Sequence, residues 1–177
     1  ALERALASSA DEPALVSVML ANNETGVLQP IADVVRLARD AGALVHCDTV
    51  QAAGKVPVEV HGLGVDYLSL SAHKLGGPTG VGALIVRRGG GQESNRRAGT
   101  ENVAGIAGFG AAAQEAAKGL DLADWRDRLE FSLVQIAPRA RVFGAGAIRL
   151  GNTSCVAMPG VPAETQVMAF DLAGVCI

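Results

Sequence analysis

Short apolar runs separated by polar turns dominate the first half of the chain. The run at residues 14–20 is almost continuously apolar and predicts a strand that is buried on both faces. A helix is predicted after Pro30, because apolar residues recur at helical spacing at Ile31, Val34, Val35 and Ala38. Gly42 lies where a helix C-cap is expected. A second buried strand is predicted at residues 43–47. The order strand, helix, strand predicts a right-handed crossover between parallel strands.

Two more apolar runs, at residues 65–70 and 81–86, lie on either side of a turn rich in Gly and Pro and predict two further strands. Small residues fill a predicted helix at 102–118, which suits close packing on a sheet or on a partner. Another helix is predicted at 125–136. Together these elements predict an α/β fold with a mostly parallel sheet.

The predicted elements change after Pro138, where short strands and turns replace helices; the strands are predicted at residues 142–143, 153–157 and 175–177. We therefore expect residues 1–120 to form part of a large domain and residues 121–177 to form part of a smaller α+β domain. The sequence stops within an apolar run at residues 172–177, so we expect it to be a portion of a longer chain.

The charge and hydropathy of the chain argue against two kinds of partner, nucleic acids and membranes. The chain has 177 residues, with 15 Lys and Arg against 18 Asp and Glu, which gives a formal net charge of −3. Lys and Arg form no run longer than a pair, which argues against a nucleic-acid surface. No stretch approaches the ~18 uncharged apolar residues that a membrane span requires, and the N-terminus lacks a signal pattern. We expect a cytoplasmic protein that acts on a small molecule.

The three cysteines, Cys47, Cys155 and Cys176, are far apart and odd in number, which does not suggest a disulfide framework. Neither the cysteines nor the three histidines have the spacing of a zinc site, so no metal site is predicted. Each cysteine is expected to be a small core residue rather than a reactive thiolate.

Polar side chains follow the first three predicted strands, where the carboxyl ends of parallel strands meet at one edge of a sheet. They are Asn23 and Glu24, Asp48 and Gln51, and Ser71, His73 and Lys74. Taken singly, Asp48 could cap a following helix, Ser71 could be a turn residue, and His73 could be a satisfied histidine at the sheet edge. Their joint placement predicts a ligand site.

This set of side chains suits pyridoxal phosphate, which requires a carboxylate on its pyridinium nitrogen and a lysine that forms a Schiff base. Asp48 would keep the ring nitrogen protonated, so that the ring can act as an electron sink. Lys74, beside a protonated ring and out of water, would have its ammonium form disfavoured. Ser71 and His73 would then face the phosphate.

Four ordered motifs carry a resemblance to a known family. They read ANNETG at residues 21–26, HCDTVQAAGK at 46–55, VDYLSLSAHKLGGPTGVG at 65–82 and GGGQESNRRAGTEN at 89–102. In this order and spacing they closely resemble the cysteine desulfurases of the NifS/IscS type, which have the class V aminotransferase fold, a type I fold of pyridoxal-phosphate-dependent transferases. The glycine-rich motif resembles the branch that serves iron–sulfur cluster assembly.

The resemblance implies a role for each matching residue. Lys74 would carry the cofactor as a Schiff base and, with His73, would be catalytic. Asp48 would bind the pyridine nitrogen, and Gln51 would lie near the phenolic oxygen of the cofactor. Asn23 would lie near the cofactor and the substrate.

Two further roles depend on the resemblance more heavily. Thr100 would reach the phosphate of the neighbouring subunit in a homodimer, although the sequence alone equally allows it to cap the helix that begins near Asn102. Arg149 would hold the α-carboxylate of the substrate, since a guanidinium can grip both oxygens, although a lone arginine is more often solvated. Asn23 and Glu24 would otherwise be plain turn residues.

The resemblance further implies conversion of L-cysteine to L-alanine, with transfer of sulfur to an enzyme cysteine persulfide and then to an acceptor or iron–sulfur scaffold protein. The persulfide-forming cysteine is expected after residue 177, an N-terminal part of the family before Ala1, and a further segment after Arg88. Two alternatives stay open. One is another class V enzyme, an aminotransferase or selenocysteine lyase. The other is a truncated, non-catalytic chain that keeps a dimerisation or scaffold-binding surface.

Overall fold

A computed structural model describes residues 1–8, 14–87 and 100–177. Most of the glycine-rich motif at 89–102 therefore lies outside the described residues. The helices are α1 (Leu2–Ala7), α2 (Ile31–Asp40), α3 (Val60–Leu63), α4 (Val103–Ala116), α5 (Ala123–Ile136) and α6 (Ala163–Leu172), with a 3-10 helix at Ala72–Leu75. The strands are β1 (Leu15–Met19), β2 (Leu44–Asp48), β3 (Tyr67–Ser71), β4 (Gly82–Val86), β5 (Arg141–Val142) and β6 (Val156–Ala157).

A four-stranded sheet with the order β1-β2-β3-β4 forms the main layer of the fold. The first three strands are parallel, and β4 runs antiparallel to β3. Helix α2 connects β1 to β2, as its apolar spacing predicts. The loop at residues 72–81 is shorter than the dozen or more residues of a parallel crossover, so β4 returns beside β3 as a hairpin. The expectation of an α/β fold with a mostly parallel sheet is confirmed.

The core lies on one face of this sheet. The buried side chains of α2, Ile31, Val35 and Ala38, belong to the same cluster as Val45, Cys47 and Leu68 of the strands. On the opposite face, Leu15 is 58% exposed and Leu44 is 48% exposed. The prediction that the first strand is buried on both faces is therefore wrong for the described residues, because α2 covers only the face of Val45 and Cys47.

The second half of the chain is joined to the first by backbone hydrogen bonds around residue 149. Leu28 N donates to Ile148 O and Leu150 N donates to Gly26 O, both at 2.9 Å. Leu150 is thereby buried in the main core. Strands β5 and β6 form a separate antiparallel pair. The domain boundary near residue 120 stays a prediction.

The C-terminal residues differ from the expectation. The strand predicted at 175–177 does not form, and a helix that was not predicted, α6, precedes these residues. Gly174, with φ of 76°, ends this helix, because Gly174 N donates to Asp171 O and Val175 N donates to Phe170 O. These two bonds form a Schellman motif, which requires a left-handed residue at its centre.

The three cysteines have different environments. Cys47 is buried, as expected, and burial raises the pKa of its thiol to about 11, with a further contribution from the negative charge of Asp48. Cys155 is half-buried. Cys176 is exposed beyond the end of α6, so the expectation of a core position is wrong for this residue.

Candidate functional site

The carboxyl ends of β2 and β3 bring together five of the residues singled out by sequence. Asp48 is the last residue of β2 and is paired in register with Ser69, so that Ser71 lies two residues farther along the neighbouring strand. His73 and Lys74 follow at once in the 3-10 helix, and Gln51 lies in the turn after β2. We call this group, Asp48, Gln51, Ser71, His73 and Lys74, the rim.

Asp48 is half-buried, and its carboxylate closes the turn that follows β2. Its Oδ1 accepts a hydrogen bond from Val50 N at 2.9 Å, and no helix begins there. The alternative of a helix cap is therefore wrong, since the carboxylate caps a turn instead. Its other oxygen accepts no hydrogen bond from the residues that the structure describes, so the carboxylate retains capacity for a ligand.

Thr49 holds the ends of the two strands together, a role that the sequence did not reveal. Its hydroxyl is fully buried and donates to Ser69 O at 2.9 Å, and Thr49 N donates to the same oxygen at 3.1 Å. A buried polar group with a satisfied partner gives a geometrically specific contact. Thr49 therefore fixes the position of Asp48 relative to the turn that carries Lys74.

On β3, Ser71 Oγ and His73 Nδ1 are hydrogen-bonded at 2.8 Å. Ser71 is half-buried, whereas His73 and Lys74 are exposed. The 3-10 helix ends at Gly76, whose φ of 80° is a left-handed conformation that glycine adopts without strain. A hydroxyl, an imidazole and a primary amine are thus presented to solvent from one short turn.

Lys74 lines a cavity of about 230 Å³ together with Lys55, Leu75 and Asn152. Lys55 Nζ donates to Gln51 Oε1 at 3.4 Å. Burial lowers the pKa of Lys55, and the positive charge of Lys74 lowers it further. Lys55 ends the motif at 46–55 but was not predicted to belong to the site, although its position four residues after Gln51 indicates that the two side chains can meet.

The turn after β1 depends on Asn22 more than on its neighbours. Asn22 Oδ1 accepts from Glu24 N at 3.0 Å and from Thr25 N at 2.8 Å. Gly26 ends the turn with a φ of 70°, and a Cβ there would lie 2.9 Å from Thr153 Cβ. Asn23 is exposed within this turn, at the carboxyl end of β1. The plain turn role is therefore shown for the segment, and a ligand role of Asn23 stays a prediction.

Arg149 is committed to an internal partner. Its Nη1 and Nη2 donate to Glu130 Oε1 at 2.7 Å and Oε2 at 2.8 Å, and its side chain is only 4% exposed. The hydrogen bonds from Arg149 hold the pKa of the Glu130 carboxyl below its usual range, and Glu130 raises the pKa of Arg149. The two N–H groups that would grip a substrate carboxylate are therefore bonded to Glu130, and the role of Arg149 toward a substrate stays a prediction.

Thr100, in the second half of the chain, was predicted either to reach a phosphate or to cap the helix that begins near Asn102. Helix α4 is capped by Asn102, whose Oδ1 accepts from Gly105 N at 3.0 Å, so the alternative that Thr100 caps this helix is wrong. Gly105 allows this contact, since a Cβ there would lie 2.5 Å from Asn102 Nδ2. Thr100 is exposed, and its role toward a phosphate stays a prediction.

Within the described residues, no helix is both long and apolar enough to cross a membrane. The same residues contain no group of three or more His, Cys, Asp and Glu side chains that could hold a metal ion.

Comparison with known proteins supplies the family. The model of the class V aminotransferases matches residues 1–176. The chain belongs to this family. Enzymes of this class use pyridoxal phosphate, in agreement with the cofactor predicted from the rim.

Relatives within the class V family are named cysteine desulfurases. The chain is 50% identical over 175 residues to a cysteine desulfurase of Cereibacter sphaeroides, covering 93% of this chain and 45% of the relative. It is 42% identical over 179 residues to the cysteine desulfurase NifS of Azotobacter vinelandii, covering 93% of this chain and 44% of the relative. The chain thus spans about half the length of the curated relatives that it matches.

Solved structures agree with this assignment. A NifS-like protein from Rickettsia africae superposes with a TM-score of 0.90 at 35% identity, covering 99% of this chain and 52% of that one. The structure described as SspA in complex with cysteine superposes with a TM-score of 0.75 at 26% identity, covering 98% of this chain and 51% of that one.

Proposed function

We propose that this chain is part of a pyridoxal-phosphate-dependent cysteine desulfurase. The full protein would convert L-cysteine to L-alanine and pass the sulfur to an enzyme cysteine as a persulfide. The observation that carries the proposal is the register of the sheet, which brings Asp48 of β2 to the same edge as the Ser71–His73–Lys74 turn of β3. Relatives named cysteine desulfurase support the choice of substrate.

The donor set of the rim fits this cofactor. Asp48 has a carboxylate oxygen available to a protonated ring nitrogen, and the hydrogen-bonded Ser71 and His73 can turn toward a phosphate group. Lys74 offers an exposed primary amine for covalent attachment. When bound, pyridoxal phosphate withdraws electrons from the α-carbon of an amino acid. Lys74 would then move the proton of that carbon, while Asp48 keeps the ring nitrogen charged.

The remaining assignments complete the proposal. Gln51 would donate to the phenolic oxygen of the cofactor, and Asn23 would contact the cofactor and the substrate from the turn after β1. Thr100 would reach the phosphate of a second subunit, which requires a homodimer. The sulfur would pass to an iron–sulfur scaffold or another acceptor protein in the cytoplasm. Arg149 would hold the substrate α-carboxylate only by releasing Glu130, with which its guanidinium is paired.

The test uses the full-length protein incubated with pyridoxal phosphate. We expect a yellow absorbance band near ~420 nm that is lost in Lys74→Ala. Lys118→Ala is the matched control, since Lys118 is an exposed lysine paired with Glu115 at 2.6 Å, and it should keep the band. Alanine and persulfide should form from L-cysteine in the wild type and in Lys118→Ala only.

Each other outcome selects a different reading. A protein without the band would contradict the proposal and favour a non-catalytic chain that keeps a dimerisation or scaffold surface. A yellow protein that releases alanine from selenocysteine but not from cysteine would be a selenocysteine lyase. A yellow protein that forms neither product but exchanges amino groups would be an aminotransferase.

A further inference from the structure

Lys55 connects two residues of the rim without belonging to it. Its Nζ donates to Gln51 Oε1 at 3.4 Å, and its side chain lines the same cavity as Lys74. Burial and the positive charge of Lys74 both lower the pKa of Lys55, in that order of size. The two ammonium groups are therefore close enough to influence each other, although only Lys74 has a role in the proposed chemistry.

The turn that carries Lys55 is held in place by close packing. Ala52 and Ala53 are buried, and Gly54 adopts a φ of 74°. A Cβ on Gly54 would lie 2.8 Å from Leu75 Cδ2 and 2.9 Å from Ala116 Cβ. The backbone before Lys55 thus packs directly against the 3-10 helix of Lys74 and against α4, which leaves little freedom for the turn to shift.

The carboxylates on or beside the segments that line this cavity and the adjoining groove have other partners or are exposed. On α4, Glu115 pairs with Lys118 at 2.6 Å, and after α4, Asp121 Oδ1 accepts from Ala123 N at 3.0 Å. Glu59 lines the adjoining groove with Lys55 but is exposed. Within the part of the chain that the structure describes, none of these carboxylates forms an ion pair with Lys55. Its ammonium group is therefore directed to Gln51.

An ammonium group has three donors and no acceptor, whereas an amide has one end of each kind. Lys55 can consequently face only the oxygen end of Gln51. The nitrogen end, Nε2, then carries two N–H donors away from Lys55. The phenolic oxygen of pyridoxal phosphate is an acceptor, so a donating amide nitrogen is the end that suits it.

We propose that Lys55 is a positioning residue of the cofactor site, which fixes the amide of Gln51 so that Nε2 serves the phenolic oxygen of pyridoxal phosphate. The inference rests on the proposed function, because Gln51 acquires this role only if the cofactor binds at the rim. It adds a residue that acts through Gln51 and does not itself touch the cofactor.

The experiment measures two properties of the loaded full-length protein: the dissociation constant of pyridoxal phosphate and the pH midpoint of its visible band. Lys55→Met should weaken binding about fivefold, the size of one net hydrogen bond, and shift the midpoint. Lys55→Glu presents acceptors only, reverses the preferred amide end and should weaken binding more than Lys55→Met. Lys55→Arg keeps a donors-only cation and should stay within about twofold of the wild type.

The decisive comparison is a double-mutant cycle with Gln51→Met. If Lys55 acts through Gln51, then adding Lys55→Met to Gln51→Met does not raise the dissociation constant of pyridoxal phosphate further. Effects that multiply instead would overturn the inference while leaving the proposed function intact. A wild-type protein without a visible band would overturn the proposed function, and the inference with it.

Discussion

The rim and the Arg149–Glu130 pair are both clusters of polar side chains, but they differ in exposure and in how many of their hydrogen-bonding atoms have partners. At the rim, His73 and Lys74 are exposed and Asp48 has an oxygen to spare. Around Arg149, both carboxylate oxygens of Glu130 are bonded to the guanidinium, Ser154 Oγ adds a third bond at 2.7 Å, and little of either side chain reaches water. Unused bonding capacity marks the first as a site for a ligand, and completed bonding marks the second as structural.

The buried Arg149–Glu130 pair connects two parts of the fold. Glu130 is on α5, while Arg149 lies in the segment that bonds to the backbone of the turn after β1. Arg126 of the same helix donates to Leu150 O at 2.8 Å. The pair therefore ties α5 to the segment that supports the turn of Asn23, so it stabilises the surroundings of the rim without taking part in it.

Removal of the buried cation should have the largest effect. Arg149→Met leaves Glu130 buried without its partner, and we expect the free energy of unfolding to fall by about 3–5 kcal/mol. Lys74→Met, at an exposed position of the rim, should change it by less than about 0.5 kcal/mol. Denaturant unfolding of the full-length protein freed of pyridoxal phosphate measures both, because bound cofactor would add its own stabilisation. Equal losses in the two variants would remove the distinction between the regions.

Acid should weaken the buried pair through Glu130. Its pKa is lower in the folded protein than in the unfolded chain, so the folded state binds fewer protons at acidic pH. This contribution is complete above the ordinary Glu pKa of about 4.3 and is lost as the pH falls through the lower folded value. Where only the unfolded chain is protonated, the slope from this group approaches about 1.4 kcal/mol per pH unit.

Unfolding measured from pH 7 to pH 3 tests this dependence. Glu130→Gln lacks the titrating group and should lose this part of the slope while being less stable at neutral pH. An unchanged slope in Glu130→Gln would show that other carboxylates carry the acid sensitivity.

The hydroxyl of Ser154 should contribute less. Ser154→Ala removes one donor from Glu130 Oε1, which keeps its bond to Arg149, and we expect a loss of about 1 kcal/mol in the free energy of unfolding. Ser132→Ala is the matched control, since Ser132 is exposed on α5 and should change stability by less than about 0.5 kcal/mol. Thermal melts at neutral pH resolve the two. A Ser154→Ala variant as stable as the control would mean that the third bond is dispensable.

The hydroxyl of Ser71, in the rim, should affect cofactor binding more than the stability of the fold. Ser71→Ala removes the partner of His73, and in the full-length protein we expect pyridoxal phosphate to bind about fivefold more weakly, with stability within about 0.5 kcal/mol of the wild type. Thermal melting of the cofactor-free protein, followed by cofactor titration of the same preparation, gives both numbers. A destabilised Ser71→Ala with normal cofactor affinity would place Ser71 among the structural residues.

The parts of the fold that repeat a local pattern were predictable. Helix α2 follows from the spacing of Ile31, Val35 and Ala38, and Gly42 occupies its left-handed end with a φ of 70°. The run at 172–177 has no such period. Its conformation depends on Gly174 and on bonds to α6, so an apolar run predicted a strand where a helix ends.

The site was predictable to the extent that it depends on strand order. Asp48 and Lys74 share an edge because parallel strands end together, and this can be inferred from sequence. The pairing of Arg149 with Glu130 could not be inferred from sequence, because Glu130 lies 19 residues earlier, on helix α5. A motif specifies the kind of side chain, whereas burial and a distant partner decide whether its donors remain available.

The hairpin of β3 and β4 sets how much the loop between them can vary in length. Ser71 pairs with Gly82, and Ala72 N donates to Val81 O at 3.0 Å, so both ends of the loop are fastened. Ala72 is fully buried, whereas residues 78–80 are exposed. Insertions at 78–80 would enlarge the tip and leave the amine of Lys74 in place, whereas one residue inserted between Ser71 and Lys74 would rotate it away from Asp48. Length changes in this enzyme class should therefore accumulate in the second half of the loop.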